Sequence, residues 1–360
     1  MIEDVRLDRV RLPLKVPYKL ALGAVTAFDT ILARVIIAGR AGYGEATILT
    51  GYTSETIEDA WPRAKALAQK LVRESPDAAR AMLYRDLADA PFTLTAFITA
   101  IEMAEGHPLL AIDVDHEVPL LAGINAINFG GIEREIESAV AAGYGTLKIK
   151  AGFDIDTDLT RIAFIQRTNA GRTKLRIDAN QGYSRDEGVR FASSLSPDSI
   201  ELLEQPCHAD DWDASAEIAK VSTVPFMLDE SIYGLEDIKR AAALGARYVK
   251  LKLMKMVSLT ALAEGLTLIR DLGMEPVLGN GVASDLGCWM EACVARRHIT
   301  NAGEMNGFLR QQSSLATDPI AVERGAMQLK AGHALVPDDI RIAAARIDQT
   351  HAGGHTPVEG

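Results

Sequence analysis

Three acidic residues recur along the chain at nearly equal intervals. Asp178, Glu204 and Asp229 are separated by 26 and 25 residues, and each lies near the end of a short apolar run. Three carboxylates held close together repel one another unless a cation lies between them, and an all-oxygen set of ligands suits Mg²⁺, with Mn²⁺ as a substitute. The pattern therefore predicts a magnesium site. The simpler interpretation, in which each acid only pairs with a neighbouring lysine, explains one acid better than three at regular spacing.

Two lysines close another apolar run, TLKIKAG at 146–152. Lys148 and Lys150 are two residues apart, so their side chains share one face of a strand. A second ammonium and a divalent cation lower the pKa of a lysine from about 10.4 toward the range of a general base. We therefore predict that Lys150 is the base, and that Lys148 lowers its pKa and contacts an anionic substrate oxygen. Most KxK pairs are solvated surface lysines, but the three nearby acids disfavour that interpretation here.

The elements that must position these side chains follow a regular rhythm from about residue 118. Short apolar runs alternate with amphipathic helical patterns at about 25-residue spacing, which implies parallel strands joined by right-handed crossovers. The compact closed solution is a (β/α)8 barrel, whose active site lies at the carboxyl ends of the strands. The eight predicted strands are 119–126, 146–152, 174–180, 199–206, 225–231, 248–254, 275–281 and 301–307.

The sixth run, YVKLKLM, carries Lys250 and Lys252 on one face, with Lys255 just beyond. Strand six lies four strands away from strand two in an eight-stranded barrel, so its lysine faces Lys150 across the mouth. Bases on both sides of a bound carbon acid can remove a proton from one face and return one to the other. The arrangement predicts a two-base mechanism.

The sequence pattern outside the eight predicted barrel strands and their helices indicates a second domain. Residues 1–112 read as a meander of antiparallel strands followed by helices, which is an α+β pattern. The barrel then occupies residues 113–322. The segment from about 323 to 360 is too irregular to extend the barrel, and we expect it to return and complete the first domain.

Taken together, KIKAG, RIDANQGY, LLEQP, MLDES and VKLKLMK resemble the enolase superfamily, specifically its muconate lactonizing enzyme subgroup, over nearly the whole chain. The resemblance implies an α/β fold, a modified TIM barrel of the (β/α)7β type with an N-terminal α+β capping domain. It also implies Mg²⁺ on the three acids and removal of the proton α to a carboxylate through an enolate. The KLMK segment places the opposing lysine at Lys252.

The capping domain of this family chooses the substrate through two loops. Here these loops would be PLKVPYKLALGAV and EATILTGYT, which offer Tyr18, Leu20, Leu49 and Tyr52 as pocket walls. One departure from the family concerns the loop after KLMK, where the usual Gly-Gly pair is replaced by Met256 and Val257. We expect that loop to run differently.

Further acids suggest the substrate class. Glu304 ends the eighth run and Asp285 follows the seventh, so negative charge lies opposite the cationic rim. This favours a small carboxylate substrate that also carries an ammonium, such as an amino acid, a cyclic imino acid or a dipeptide. The predicted reaction is racemisation or epimerisation, or dehydration by β-elimination from a hydroxy amino or imino acid such as a hydroxyproline. Asn180 is a further substrate-binding candidate, and Asp285 is equally well explained as a helix cap.

Three alternatives remain. A muconate-type cycloisomerase would use one lysine for the proton, with the other as a bystander. A dipeptide epimerase is disfavoured because GNGVASD and GEMNG lack the Asp-x-Asp signature of that group. A non-catalytic homologue should have lost a metal carboxylate or a lysine, and none is missing.

Composition excludes other classes of function. The net charge of −11 leaves no basic face for nucleic acid, and no apolar run approaches the length of a membrane span. The only three cysteines show no CxxC spacing, which indicates reduced thiols and a cytoplasmic location. The family resemblance implies a homo-oligomer.

Overall fold

The computed structural model of the chain describes residues 1–20, 23–49 and 53–353. Its strands are β1 Ile2–Leu20, β2 Gly23–Ile37, β3 Arg40–Thr47, β4 His116–Pro119, β5 Ala122–Ile124, β6 Thr146–Lys150, β7 Lys174–Asp178, β8 Ile200–Glu204, β9 Phe226–Leu228, β10 Tyr248–Leu251, β11 Glu275–Leu278, β12 Val322–Glu323, β13 Ala326–Leu329 and β14 Arg346–Gly353. Its helices are α1 Ile57–Leu71, α2 Pro76–Asp86, α3 Pro91–Glu105, α4 Phe129–Ala141, α5 Ile155–Asn169, α6 Arg185–Ser194, α7 Trp212–Val221, α8 Leu235–Leu244, α9 Leu253–Met256, α10 Leu259–Asp271, α11 Asp285–His298 and α12 Asp339–Ala345.

The N-terminal strands form an antiparallel sheet. Its strand order is β14-β1-β2-β3, so the last strand of the chain lies beside the first. Along β1, Val5 and Leu7 are fully buried, as the alternation of apolar residues requires for a sheet with one packed face. Helix α3 packs against β3 and β2. Helices α1, α2 and α3 follow the strands, as the α+β pattern of residues 1–112 predicts.

The second sheet is parallel and has the strand order β11-β10-β9-β8-β7-β6-β5. Helices alternate with these strands along the chain, and buried leucine, isoleucine and valine side chains fill the core between them. Neighbouring strands in sequence are neighbours in the sheet, as right-handed crossovers produce. The predicted α/β fold, a TIM-like barrel with an N-terminal antiparallel sheet, is confirmed.

The predicted eighth strand over 301–307 is not a regular strand. Gly303 makes a single parallel bridge to Leu120, with its N–H 2.8 Å from the carbonyl oxygen of Pro119. On the other side, the Glu304 N–H donates to the Leu278 carbonyl at 2.9 Å. Gly279 permits this approach, because its φ is +120° and an added Cβ would lie 2.7 Å from the Glu304 carbonyl carbon. The barrel is therefore closed by a short bridging segment that carries Glu304.

The antiparallel sheet and its helices contact the barrel near the carboxyl ends of the barrel strands. The buried Glu45 carboxylate of β3 accepts a hydrogen bond from the Ser284 N–H at 2.8 Å, just before α11. The Glu102 carboxylate of α3 accepts one from the Leu259 N–H at 2.8 Å, at the start of α10. These contacts fix the N-terminal sheet over the barrel mouth.

In the ranges described, every helix is too short or too polar to cross a membrane. The division of the chain at residues 112 and 322 stays a prediction.

Candidate active site

The three acids lie side by side at the carboxyl ends of adjacent barrel strands. Asp178 ends β7 and is in direct register with Glu204, which ends β8. Asp229 follows β9, the next strand in the sheet. Each acid is at most 2% exposed. The regular spacing of these residues in the sequence thus becomes a row of buried carboxylates, with Asp178 at one end and Asp229 at the other.

The lysines of β6 reach the Asp178 end of this row. The Lys148 Nζ lies 2.9 Å from Asp178 Oδ2 and 3.0 Å from Glu204 Oε2, so one ammonium lies between two acids. The Lys150 Nζ lies 2.5 Å from Asp178 Oδ2 and 2.6 Å from Asn180 Oδ1. The Lys150 side chain is 35% exposed, whereas that of Lys148 is 6% exposed. Lys150 is therefore the outer member of the pair, nearer to an entering substrate.

Lys250 of β10, Lys255 of α9 and Lys252 between these elements reach the opposite end. The Lys252 Nζ lies 2.8 Å from Asp229 Oδ2. The Lys250 Nζ lies 3.1 Å from Glu204 Oε1 and 3.5 Å from Asp229 Oδ2. Lys255 also contacts Asp229, at 3.0 Å, but it does not line the cavity as Lys252 does. Lys150 and Lys252 therefore flank the row of acids from its two ends.

The charges of the lysines and acids shift one another's pKa values. Burial lowers the pKa of Lys148, but Asp178, Glu204 and Glu304 outweigh this and raise it well above its ordinary value. Lys148 is therefore held as an ammonium beside Lys150. Burial raises the pKa of Asp229, but its lysine neighbours bring that pKa well below the ordinary range. Burial, together with the charge of Lys252, lowers the pKa of Lys255 to about 8.

The donor set of the row fits a divalent cation with oxygen ligands. Within the described residues, no group of three His, Cys, Asp or Glu side chains stands in a metal-holding arrangement. The spaces between the acids are instead bridged by ammonium groups, with Lys148 between Asp178 and Glu204, and Lys250 between Glu204 and Asp229. Positive charge thus already lies along the row. Carboxylate oxygens are the ligands that Mg²⁺ takes in proteins, so the chemistry of the row suits that ion.

Glu304 and Asn180 lie at this cavity, as their positions at strand ends suggest. Glu304 Oε2 lies 2.8 Å from the Lys148 Nζ and also pairs with Lys250. Its charge is therefore compensated by two lysines, which the sequence did not predict. Asn180 accepts a hydrogen bond from Lys150 through Oδ1 and donates one to Glu230 through Nδ2, at 2.5 Å. Asn180 thus holds the Lys150 side chain in place.

Sequence reasoning missed the roles of two charged residues here. The sequence places Lys250 on the same face as Lys252 but indicates no function for it, and the structure makes it a partner of Glu304, Glu204 and Asp229. Glu230 is 7% exposed, and burial together with the charge of Asp229 raises its pKa to about 7. Both residues lie at a strand end beside a residue predicted to act in the site, Lys252 and Asp229 respectively. That position is the feature of the sequence that could have identified them.

Asp285 does not contact this cavity. Its carboxylate accepts hydrogen bonds from the Ser314 hydroxyl and the Leu315 N–H, both at 2.9 Å. Asp285 is 1% exposed and holds the segment around Ser314, which follows the bridging segment, instead of making the substrate contact predicted for it. Ser284 is the N-cap of α11, and its side chain accepts from the Leu286 N–H.

The predicted pocket walls from the capping loops are described only in part. Leu49 is buried at 5% exposure. Tyr52 and the side chains of Tyr18 and Leu20 lie outside the described residues. The loop after Lys255 keeps a glycine-like backbone although the glycine is absent, since Val257 has a φ of +72° where the family usually has a glycine. A β-branched residue in that conformation is strained by about 1–3 kcal/mol.

The chain is similar in sequence to a known enzyme family and to its characterised members. Residues 131–339 match the family model described as enolase C-terminal domain-like. The L-Ala-D/L-Glu epimerase of Bacillus subtilis is 28% identical over 325 residues, which cover 82% of this chain and 86% of that protein.

Two solved structures share the fold. The dipeptide epimerase of Cytophaga hutchinsonii, complexed with Mg and the dipeptide D-Ala-L-Val, superposes with a TM-score of 0.88 at 22% identity, covering 98% of this chain and 100% of that one. The muconate lactonizing enzyme of Pseudomonas fluorescens, complexed with muconolactone, gives a TM-score of 0.85 at 22% identity, covering 96% of this chain and 99% of that one.

Proposed function

We propose a reaction for this chain from the premise that it belongs to the enolase superfamily, within its muconate lactonizing enzyme subgroup. The reaction is the Mg²⁺-dependent removal of the proton α to a carboxylate in a small amino-acid-like substrate. Its outcome is racemisation or epimerisation, and it becomes β-elimination when a hydroxyl lies on the neighbouring carbon.

The metal would be held by Asp178, Glu204 and Asp229. When bound there, Mg²⁺ supplies a Lewis acid that withdraws charge from the substrate carboxylate. Lys148, an ammonium between two of these acids, is positioned to bind a carboxylate oxygen of the substrate. A preorganised positive group of this kind stabilises the negative charge that develops as the α-proton leaves.

The single observation that carries the proposal is the placement of Lys150 and Lys252. Their amines approach the row of acids from opposite ends, at Asp178 and at Asp229. A neutral amine on one side takes the α-proton, and an ammonium on the other side returns a proton to the opposite face. The configuration of the α-carbon is thereby inverted. Racemases and epimerases need this two-sided arrangement, whereas a cycloisomerase needs only one of the two lysines.

The cavity favours a small substrate. Charged side chains from β6, β7, β10 and the bridging segment line most of it, and they nearly fill it. Met254 and Val282 are the apolar residues among its described lining. Glu304 is already paired with Lys148 and Lys250, and Met305 and Asn306 follow it, so the bridging segment itself offers no second acid for a dipeptide ammonium. We therefore propose a single amino or imino acid, with hydroxyprolines as candidates for elimination.

Proton exchange in D₂O tests this proposal. The protein with Mg²⁺ is incubated with proline, the hydroxyproline isomers, alanyl-glutamate and muconate, and the products are followed by ¹H NMR and chiral chromatography. We expect deuterium at the α-carbon of an amino or imino acid, with inversion or with loss of water from a hydroxyproline. The exchange should disappear with EDTA and return with Mg²⁺.

A matched control is Lys174→Ala, which removes an exposed lysine at the opposite end of β7 and should leave the exchange unchanged. Conversion of muconate without exchange in any amino acid would contradict the proposal and support the cycloisomerase.

The use of Mn²⁺, the cytoplasmic location and the homo-oligomeric state stay predictions of the sequence.

A further inference from the structure

Glu291 is a buried acid that the proposed reaction does not use. It lies in the middle of α11, is 0% exposed, and is packed beneath the carboxyl ends of β10 and β11. Burial raises its pKa to about 7, while the positive charge of Lys252 acts against this rise. A buried carboxylate is costly unless hydrogen bonds satisfy its oxygens, so its contacts indicate why it is there.

Both Glu291 oxygens accept hydrogen bonds from the loops that end these two strands. Oε1 accepts from the Leu253 N–H at 2.9 Å and from the Asn280 side-chain amide at 3.1 Å. Oε2 accepts from the Asn280 backbone N–H at 3.2 Å. One side chain therefore ties the end of β10 to the end of β11.

The bond to Leu253 acts on Lys252 directly. The Leu253 N–H belongs to the peptide unit that follows Lys252, so fixing it fixes the Lys252 ψ angle, which is 138°. That angle sets the direction in which the chain turns from β10 into α9. It therefore also fixes the position of the backbone from which the Lys252 side chain extends. Asn280 in turn accepts from the Val282 and Ala283 N–H groups, which holds the neighbouring wall of the cavity.

We propose that Glu291 is a positioning residue for Lys252, which it holds in line with the reacting carbon. The inference rests on the proposed function, in which Lys252 serves one face of the substrate. Glu291 touches neither the row of acids nor Lys150, so its effect should be confined to that face.

The strand end that carries Lys150 is held by a different acid. Asp158 of α5 accepts hydrogen bonds from the Gly152 and Phe153 N–H groups, both at 3.0 Å, and from the Tyr183 hydroxyl at 2.7 Å. Two buried acids on separate helices thus serve the two flanking lysines. Asp158 is the matched comparison for Glu291, because each acid binds backbone N–H groups just after one lysine.

The test measures α-deuterium exchange separately from each enantiomer of a substrate that the wild type racemises. The enantiomer that Lys252→Ala fails to exchange defines the Lys252 face. We expect Glu291→Gln to slow exchange of that enantiomer by about 10- to 100-fold, because a misplacement of the order of 1 Å has effects of that size. Exchange of the other enantiomer should stay within about threefold of wild type. Asp158→Asn should show the reverse preference.

The difference between the exchange rates of the two enantiomers distinguishes a positioning role of Glu291 from a role in overall stability. Glu291→Asp keeps the charge but moves the carboxylate away from the Leu253 and Asn280 N–H groups. It should also slow exchange of the Lys252-face enantiomer selectively, with a smaller effect. This variant is the substitute test if Glu291→Gln does not fold. Equal slowing of both enantiomers, or no change in either, would overturn the inference while leaving the two-base reaction intact. Absence of exchange in the wild type with every amino or imino acid would instead defeat the proposed function itself.

Discussion

Lys150→Ala and Lys252→Ala each abolish racemisation, with kcat/KM for inversion reduced by about 10²- to 10⁴-fold or more, the range that removal of a general acid or base produces. Inversion needs one amine to take a proton and the other to return one, so loss of either amine stops the full reaction. Each variant should nevertheless exchange the α-proton of one enantiomer, since the remaining lysine still faces it. The two variants should exchange opposite enantiomers, as measured by ¹H NMR in D₂O from each pure enantiomer.

The geometry explains why the variants should fold. Lys150 is one-third exposed, and its loss leaves Asp178 paired with Lys148. Lys252 is buried, but Asp229 keeps Lys250 and Lys255 as partners. Lys174→Ala is the control for loss of a lysine from the barrel. Full activity in either flanking variant would contradict the two-base mechanism, and so would exchange of the same enantiomer by both.

Asp229→Asn removes the dependence on Mg²⁺ together with the activity. The neutral amide takes away one of the three charged oxygen ligands, and it also leaves Lys252 without the carboxylate that lies 2.8 Å away. The metal and one of the two proton-transferring groups are therefore affected by a single substitution. Calorimetric titration with Mg²⁺ should show binding weakened by about 10- to 100-fold or lost, and turnover should not recover at high Mg²⁺.

The fold should survive this change, because Asn is close to Asp in shape. Circular dichroism and the thermal midpoint without added Mg²⁺ report on this directly. Asp115→Asn is the matched control, since Asp115 is an exposed acid paired with Lys330 away from the cavity. Unchanged Mg²⁺ affinity in Asp229→Asn would show that the ion binds elsewhere.

The row of acids was predictable because it depends on topology alone. A spacing of one strand-helix unit places residues at the ends of neighbouring parallel strands, and the register of Asp178 with Glu204 follows from it. The shared face of Lys148 and Lys150 depends only on the two-residue period of a strand. Local rules of this kind do not need the rest of the fold.

Contacts between distant segments were not predictable in the same way. The sequence explains Asp285 equally well as a substrate ligand or a helix cap, and its partners in the structure lie 29 and 30 residues further along the chain. Glu291 reads in the sequence as one polar residue in a helix, and only packing reveals that it lies under two strand ends. The spacing of the runs predicts an eighth strand, but its glycines and its short bridging geometry leave a single ladder pair, between Leu120 and Gly303.

The most direct test of the central claim is a crystal structure of the wild type with Mg²⁺ and a slowly turned-over substrate identified in the exchange assay. The account predicts one ion bound by oxygens of Asp178, Glu204 and Asp229, with the substrate carboxylate beside it. The Lys150 and Lys252 amines should lie on opposite faces of the α-carbon. An ion bound by other residues, or both amines on one face, would contradict it.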